Sequence, residues 1–352
     1  MANYPSVLEY RKRSVLPPAL QNDLQRLGSS LDSARAKADD VAAVIEGFFG
    51  LPVRDFKAAA SDIMEYGGLY ARHGYDTWTT ARARIQLGGM ISRLKRTDGL
   101  EFVFLFHGNG YYRQCALELI DGPLEAPFLL AAVIYRLNDW VPEVRQAAYK
   151  CASRVFAATP ASIVVPAVVG MLEMRIRWQR GVAEAVIVDE VLSRADIQAG
   201  MRAYLMRTPA GPTARTLGNL LRDSRFDDAL PGLARRARHP AVRALALRTL
   251  VTRTARWPVG TAKQWIDKSM GIERLVMEFA SRPVATTEAI EMLIQQGASD
   301  SAAAVRKIAM QAVVDRPALW PEMAPVIQKL SQDSSSAIRE GMAYIARKSA
   351  EA

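Results

Sequence analysis

The stretch from Asn138 to Phe156 reads Asn-Asp-Trp-Val-Pro-Glu-Val-Arg-Gln-Ala-Ala-Tyr-Lys-Cys-Ala-Ser-Arg-Val-Phe. It opens on a turn signal, and Pro142 lies where the first turn of a helix tolerates proline. Apolar residues then recur every three or four positions, as one stripe of a 3.6-residue helix does; they are Val144, Ala147, Ala148, Cys151, Ala152 and Val155. The sequence therefore predicts an amphipathic helix that begins after a short turn.

The same pattern recurs along the chain. Its template is an apolar residue, an arginine, and then apolar residues three, four, seven and eight positions after the first. The copies place their arginines 32, 70, 28, 63 and 33 residues apart, at Arg113, Arg145, Arg215, Arg243, Arg306 and Arg339. The two long intervals are about twice the short ones, and weaker copies fill them at Arg274 and near residues 177–180. A period near 32 residues with two helices per unit indicates an α-solenoid.

Three copies share the spacing Asp-x-x-x-x-(Val/Ile)-Arg, and His239-Pro-Ala-Val-Arg243 is a shortened version. This spacing resembles the inter-helix turn and second-helix start of HEAT repeats, as does the proline-bearing helix from Trp320 to Leu330. The resemblance covers roughly residues 75–350. It implies an all-α, right-handed α-solenoid of antiparallel helix pairs. It also implies a structural ladder between neighbouring units, made of Asp139, Arg145, Arg243, Asp300, Arg306, Asp333 and Arg339.

The sequence predicts three parts. Residues 1–18 form an irregular basic arm that ends at Pro17-Pro18, and residues 19–74 form atypical N-terminal helices that cap the array. Residues 75–350 form the HEAT-like array, with a linker-like break expected near residues 257–261. Helix is expected almost throughout, because no sustained alternation of apolar and polar residues predicts a strand.

The positive charge of the chain is concentrated in one block. The formal net charge is +10, and residues 200–256 hold 12 arginines against three acids, Asp223, Asp227 and Asp228. Such a block is an electrostatic footprint for nucleic acid or an acidic partner, although arginine also solvates the outer faces of helices. The candidate binding residues are Arg235, Arg236, Arg238, Arg248 and Arg253, and Arg248 is the one expected to face the concave groove.

No catalytic residue, metal site or cofactor is predicted. The three histidines, His73, His107 and His239, are far apart in sequence and are expected in turns, and no zinc-protease, hydrolase or Walker pattern is present. Cys115 and Cys151 both fall on apolar stripes, which predicts buried thiols in adjacent helices and fits a reducing compartment.

A cytoplasmic location is expected, and no membrane partner. The first residues lack the apolar segment of a signal peptide. No apolar run reaches the roughly 20 residues that span a bilayer.

The predicted function is a non-enzymatic scaffold or adaptor that binds a macromolecular partner, above all a protein, on the solenoid surface. Oligomeric state is left open. The alternative is a DNA-binding protein, or a HEAT-like DNA glycosylase, that uses residues 200–256. The HEAT-like alkylpurine DNA glycosylases carry aromatic and Asp residues in a basic groove, and Asp139-Trp140 resembles such a pair. Asp139 falls in the ladder position, however, and no second groove aromatic can be assigned. A chromophore-lyase-like HEAT protein is a third option that no residue singles out.

Overall fold

The computed structural model describes residues 14–32, 37–70, 81–175 and 178–351. These ranges form 18 α-helices, one two-stranded antiparallel sheet and a few short 3-10 turns. The predicted helical character is therefore confirmed, with the sheet as an exception. The chain divides into two compact units, Met1–Ile197 and Gln198–Ala352. None of the described helices is both long enough and apolar enough to cross a membrane.

The first unit begins with an irregular segment, residues 14–17, which Ser14 ties to Asp62 through a 2.7 Å hydrogen bond between side chains. The rest of the predicted basic arm lies outside the described residues, as does His73. The helices of this unit are α1 (Pro18–Asp32), α2 (Ala38–Phe49), α3 (Phe56–Tyr66), α4 (Ala81–Leu94), α5 (Leu100–Phe104), α6 (Gly110–Leu119), α7 (Pro127–Arg136), α8 (Pro142–Ala158), α9 (Ala161–Arg175) and α10 (Val186–Val191).

Helix α7 is the centre of the first unit. Every residue from Phe128 to Ile134 is buried, as expected for a helix that is apolar all round. Its Phe128 ring lies 5.9 Å from Phe48 of α2 and 5.1 Å from Phe56 of α3, so the N-terminal helices and the first repeats share one core. Alternate helices then pack on one another, α6 on α8, α8 on α10 and α7 on α9.

The second unit continues the alternation. Its helices are α11 (Ala195–Arg207), which starts just before the boundary, α12 (Thr213–Leu220), α13 (Leu230–Arg236), α14 (Pro240–Thr252), α15 (Ile290–Ala298), α16 (Ala303–Val314), α17 (Ala324–Ser331) and α18 (Ser336–Glu351). Helices α12, α14, α16 and α18 pack one against the next, and α15 packs on α17. The paired helices α13–α14, α15–α16 and α17–α18 follow one another in sequence and contact each other.

A β-hairpin interrupts this unit. Strand β1 spans Thr254–Asp267 and pairs antiparallel with β2, Ile272–Pro283. The expectation of helix in this segment was wrong. Residues 257–261, where a linker-like break in the array was predicted, lie inside β1. Because the ribbon is largely exposed on both faces, no buried face imposes a period of two on its sequence.

The weaker template copies do not mark helical units either. Arg274 lies in β2. Of the copy near residues 177–180, the described part from Trp178 to Arg180 lies in non-helical chain before α10.

The hairpin accounts for one of the two long intervals in the repeat. The side chains of Arg306 and Asp333, 27 positions apart, form a hydrogen-bonded pair, and so do Arg243 and Asp300, 57 positions apart. The 14 residues of β1, the 12 of β2 and the four of their turn make 30. Without those 30 residues the longer spacing also becomes 27. The interval from Arg243 to Arg306 is thus one unit with an inserted hairpin, not two units.

Removing the hairpin tests this interpretation. Val284 N donates to Arg253 O at 2.9 Å, so the ends of the insertion already meet and a two-residue Gly-Gly link can replace residues 254–283. We expect the variant to keep its helical circular dichroism and one cooperative urea transition. Its stability should fall by only about 1.5–3 kcal/mol, because Asp227 loses the charged hydrogen bonds that it accepts from Arg282. Loss of the helical signal would contradict an insertion.

Candidate functional site

Five arginines in the first turns of helices donate a hydrogen bond to the backbone of the turn that precedes the helix. In each case Nη1 donates to the backbone carbonyl oxygen six residues earlier, at 2.6–3.0 Å. The donor and acceptor pairs are Arg113–His107, Arg145–Asp139, Arg243–Ala237, Arg306–Asp300 and Arg339–Asp333. The same local bond therefore sets the entry into α6, α8, α14, α16 and α18.

Three aspartates connect one such turn to the next. Each accepts at Oδ1 from the backbone N–H two residues later, at 2.8–3.0 Å. Each also accepts two hydrogen bonds, from Nε and Nη2 of the arginine in the preceding copy, at 2.6–2.9 Å. The bidentate pairs are Arg113–Asp139, Arg243–Asp300 and Arg306–Asp333. These are charge-assisted forks, the strongest class of side-chain hydrogen bond.

The remaining ladder residues depart from this geometry. Arg145 reaches the carboxylate of Glu184 at 3.3 Å instead of an aspartate. Arg339 donates to the backbone oxygens of Asp333 and Ser334. At the other end His107 stands in the place of the aspartate, and its Nδ1 accepts from Asn109 N at 2.9 Å. Burial, and then the charge of Arg113, lower the pKa of His107 to about 4, so the ring is neutral and can accept this bond.

The most buried fork combines two cations with one anion. The side chains of Arg113 and Asp139 are 2% and 0% exposed, and Arg136 donates to Asp139 Oδ2 at 2.9 Å. Burial by itself raises the pKa of Asp139, but the hydrogen bond from Arg113 and the charge of Arg136 outweigh it, so the pKa is lowered. For Arg136, burial is the largest effect and lowers the pKa. The carboxylate is thus held ionised between two guanidinium groups.

A second set of arginines closes the opposite ends of the helices. Arg154 donates to Leu117 O and Ile120 O, at 3.0 and 2.8 Å, where α6 ends. Equivalent bonds to the ends of α8, α12 and α14 come from Arg194, Arg282 and Arg316. The last carbonyls of a helix have no partner within it and carry partial negative charge, so a guanidinium suits them. The sequence alone does not identify these residues, because an arginine outside the repeated pattern has no distinguishing spacing.

An exposed apolar ridge follows three successive turns of the first unit. It consists of Tyr111, Trp140 and Val182, which are 59%, 53% and 65% exposed. Their turns lie side by side: a Cβ on Gly110 would be 3.0 Å from the Val141 side chain, and Asn138 Oδ1 accepts from Gly181 N at 3.0 Å. We call these three residues the turn ridge.

Positive groups accompany the turn ridge. The guanidinium carbon of the buried Arg113 lies 5.9 Å from the centre of the Trp140 ring, within the range of a cation–π interaction. Arg180, in the turn that carries Val182, is exposed, and Arg136 is partly exposed beside Asp139. The ridge therefore combines aromatic surface with cations.

The five candidate arginines of the basic block do not come together at one place. Arg235 is engaged by Glu288 and Gln296, at 2.5 and 2.9 Å. The other four are exposed and make no ion pair with any described residue. Arg236 and Arg238 flank the turn between α13 and α14, whereas Arg248 and Arg253 lie at the far end of the 13-residue α14. At 1.5 Å per residue, the two groups are separated by roughly 15–20 Å along the helix.

The thiols predicted to be buried are buried. Cys115 and Cys151 are free cysteines inside α6 and α8, two helices that pack together. Burial raises the pKa of Cys151 to about 12, which makes the thiol a poor nucleophile at neutral pH. Among the described residues, no three His, Cys, Asp or Glu side chains are grouped closely enough to hold a metal ion.

Comparison with known proteins does not extend this picture. No protein-family model matches the chain, and no curated protein matches it either. The geometry of the arginine forks and of the turn ridge therefore carries the functional interpretation.

The buried fork predicts a large effect from a single neutralisation. Asp139→Asn keeps an acceptor for Val141 N but leaves Arg113 and Arg136 without a counter-charge, so we expect a loss of about 3–5 kcal/mol in the free energy of unfolding. The matched control is Asp228→Asn, which removes a carboxylate that is 68% exposed and pairs with Arg202. It should cost at most about 1 kcal/mol. Equal losses in urea unfolding would contradict the structural role of Asp139.

Proposed function

We propose that this protein is a scaffold or adaptor, built as a right-handed HEAT-like α-solenoid, that holds a protein partner on the turn ridge. The repeated turn bonds, the fork spacing of 26 or 27 residues once the hairpin is left out, and the row of helices α12, α14, α16 and α18 support the repeat architecture. A cytoplasmic location belongs to the same proposal, and the two buried free thiols support it.

The observation that carries the proposal is the exposed Trp140 at the centre of the ridge. Tryptophan, tyrosine and arginine are the residues that most often dominate protein interfaces. Trp140 follows Asp139 directly, and the guanidinium of Arg113 lies beside its ring, so its backbone is fixed before any partner arrives. A fixed anchor loses little conformational freedom on binding. Among the described residues, the most buried ion pair thus lies next to the most exposed tryptophan.

The chemistry of the ridge indicates what the partner offers. Tyr111 and Val182 extend the apolar surface on either side of Trp140, and Arg180 adds an exposed positive charge. A complementary protein surface carries an apolar side chain that packs on Trp140, with acidic residues beside it.

The ridge is tested by exchanging its aromatic residues. The native complex is isolated with tagged full-length protein, and its main component is then titrated against wild type and the Tyr111→Ser/Trp140→Ser variant. We expect at least about tenfold weaker binding, because removing a central aromatic anchor costs 2 kcal/mol or more. The matched control is Tyr149→Ser/Tyr344→Ser, which removes two tyrosines that are 36% and 42% exposed on helices elsewhere. Equal affinity of the ridge variant would contradict the proposal.

Nucleic-acid binding is the second candidate, and the unpaired Arg236 and Arg238 favour it. An electrophoretic shift with single-stranded and duplex DNA at two salt concentrations measures it directly. If this function is correct, retardation falls with salt and is lost in Arg236→Glu/Arg238→Glu, but not in the control Lys307→Glu, an exposed charge on α16. No retardation at low salt, or retardation indifferent to these arginines, would remove this candidate.

A further inference from the structure

The hairpin exposes more large apolar side chains than any other element of the described chain. Leu275, Met277 and Phe279 of β2 are 70%, 54% and 51% exposed, and Trp265 of β1 is 49% exposed. Side chains two residues apart share a face of a strand, so the three β2 residues line one face. Trp265 pairs with Glu273 and therefore belongs to that face too. A monomeric protein rarely leaves such a contiguous apolar stripe in water.

The two edges of the ribbon differ. Strand β1 contains Pro258 and Gly260, its register shifts twice, and its base packs on α12 and α14. Bulges and proline are the features by which proteins prevent a strand from pairing further. Strand β2 has no proline or glycine between Ile272 and Arg282 and no bulge of its own. The β2 edge is therefore the one that can accept another strand.

We infer that β2 pairs antiparallel with β2 of a second copy of this chain, about a two-fold axis at Val276. In this register Arg274 of each copy lies opposite Glu278 of the other, so two ion pairs form at once. Antiparallel partners share a face only when their positions differ by an even number. Among such registers, only the one centred on Val276 brings these two charges together. The strand is thus complementary to a second, antiparallel copy of itself, as an isologous interface requires.

The apolar residues agree with the same register. Leu275 of one copy lies opposite Met277 of the other, and the two-fold axis repeats this pair with the copies exchanged. Both pairs are on the exposed apolar face, and both lose water when the strands meet. An isolated two-stranded hairpin is only marginally stable in water, whereas a four-stranded sheet with an apolar face can be stable by itself. Pairing would therefore also stabilise the ribbon itself.

Charge exchange at the two positions tests the register. Sedimentation velocity over a range of concentrations should give a species of twice the 38.8 kDa chain mass. Arg274→Glu alone sets two pairs of glutamates against each other, and Glu278→Arg alone sets two pairs of arginines. Each single variant should dimerise at least about tenfold more weakly. The double variant restores both ion pairs and should dimerise as wild type does. An equimolar mixture of the two single variants should form heterodimers, which shows that neither has simply lost its fold.

Two controls separate the edge from its surroundings. Gln264→Ala removes the 2.7 Å bond that Arg274 makes within its own hairpin and should leave dimerisation unchanged, as should Lys307→Glu on α16. A wild-type chain that stays monomeric at every concentration would overturn the inference and assign the β2 edge to another occupant. A dimer that ignores both single charge variants, or a mixture without heterodimers, would overturn it as well.

Discussion

A guanidinium group that leaves water needs oxygen atoms in the plane of its donors, and this requirement organises the repeats. Arg113, Arg243 and Arg306 each use one nitrogen for a carbonyl of their own turn and two for an aspartate of the next. The first bond fixes how a helix begins, and the second fixes where the following unit lies. Burying such a charge costs several kcal/mol unless every donor is matched, so the geometry of one turn constrains the next.

The same requirement explains residues that would otherwise suggest catalysis. Asp139, His107 and Trp140 lie around Arg113, and the pKa values of Asp139 and His107 are both lowered. Shifted pKa values are a common property of active sites. Here each has a structural partner: Asp139 pairs with two arginines, His107 accepts a backbone hydrogen bond in the position of an aspartate, and Trp140 lies over a guanidinium. These contacts hold the turn ridge in place. The cluster exposes aromatic surface to solvent more than it exposes reactive groups.

The sequence predicted the parts of this structure that repeat. Apolar stripes recur in every clear copy and the Asp-to-Arg spacing recurs in three of them, and these patterns indicated the helical class and the turn residues. The hairpin was not predicted because it has no buried face. Without a buried face, a ribbon does not need the alternation of apolar and polar residues that indicates a strand. The capping arginines, such as Arg154, and the turn ridge escaped for another reason. Their members become neighbours only when helices from different parts of the chain pack together, and no fixed spacing in the sequence identifies them.

The forks also bear on the order in which the chain can fold. Apolar stripes of successive helices are so similar that, on apolar packing alone, a helix could dock one unit out of place. A misdocked helix would bury a guanidinium against carbonyls with no carboxylate in reach, at a cost that is a large fraction of the stability of a domain. The bonds within each turn span only six residues and are local contacts, whereas the forks span 26 residues or more and need two units to have docked. The match between guanidinium and carboxylate therefore favours the native position of each helix over positions that apolar packing alone would accept.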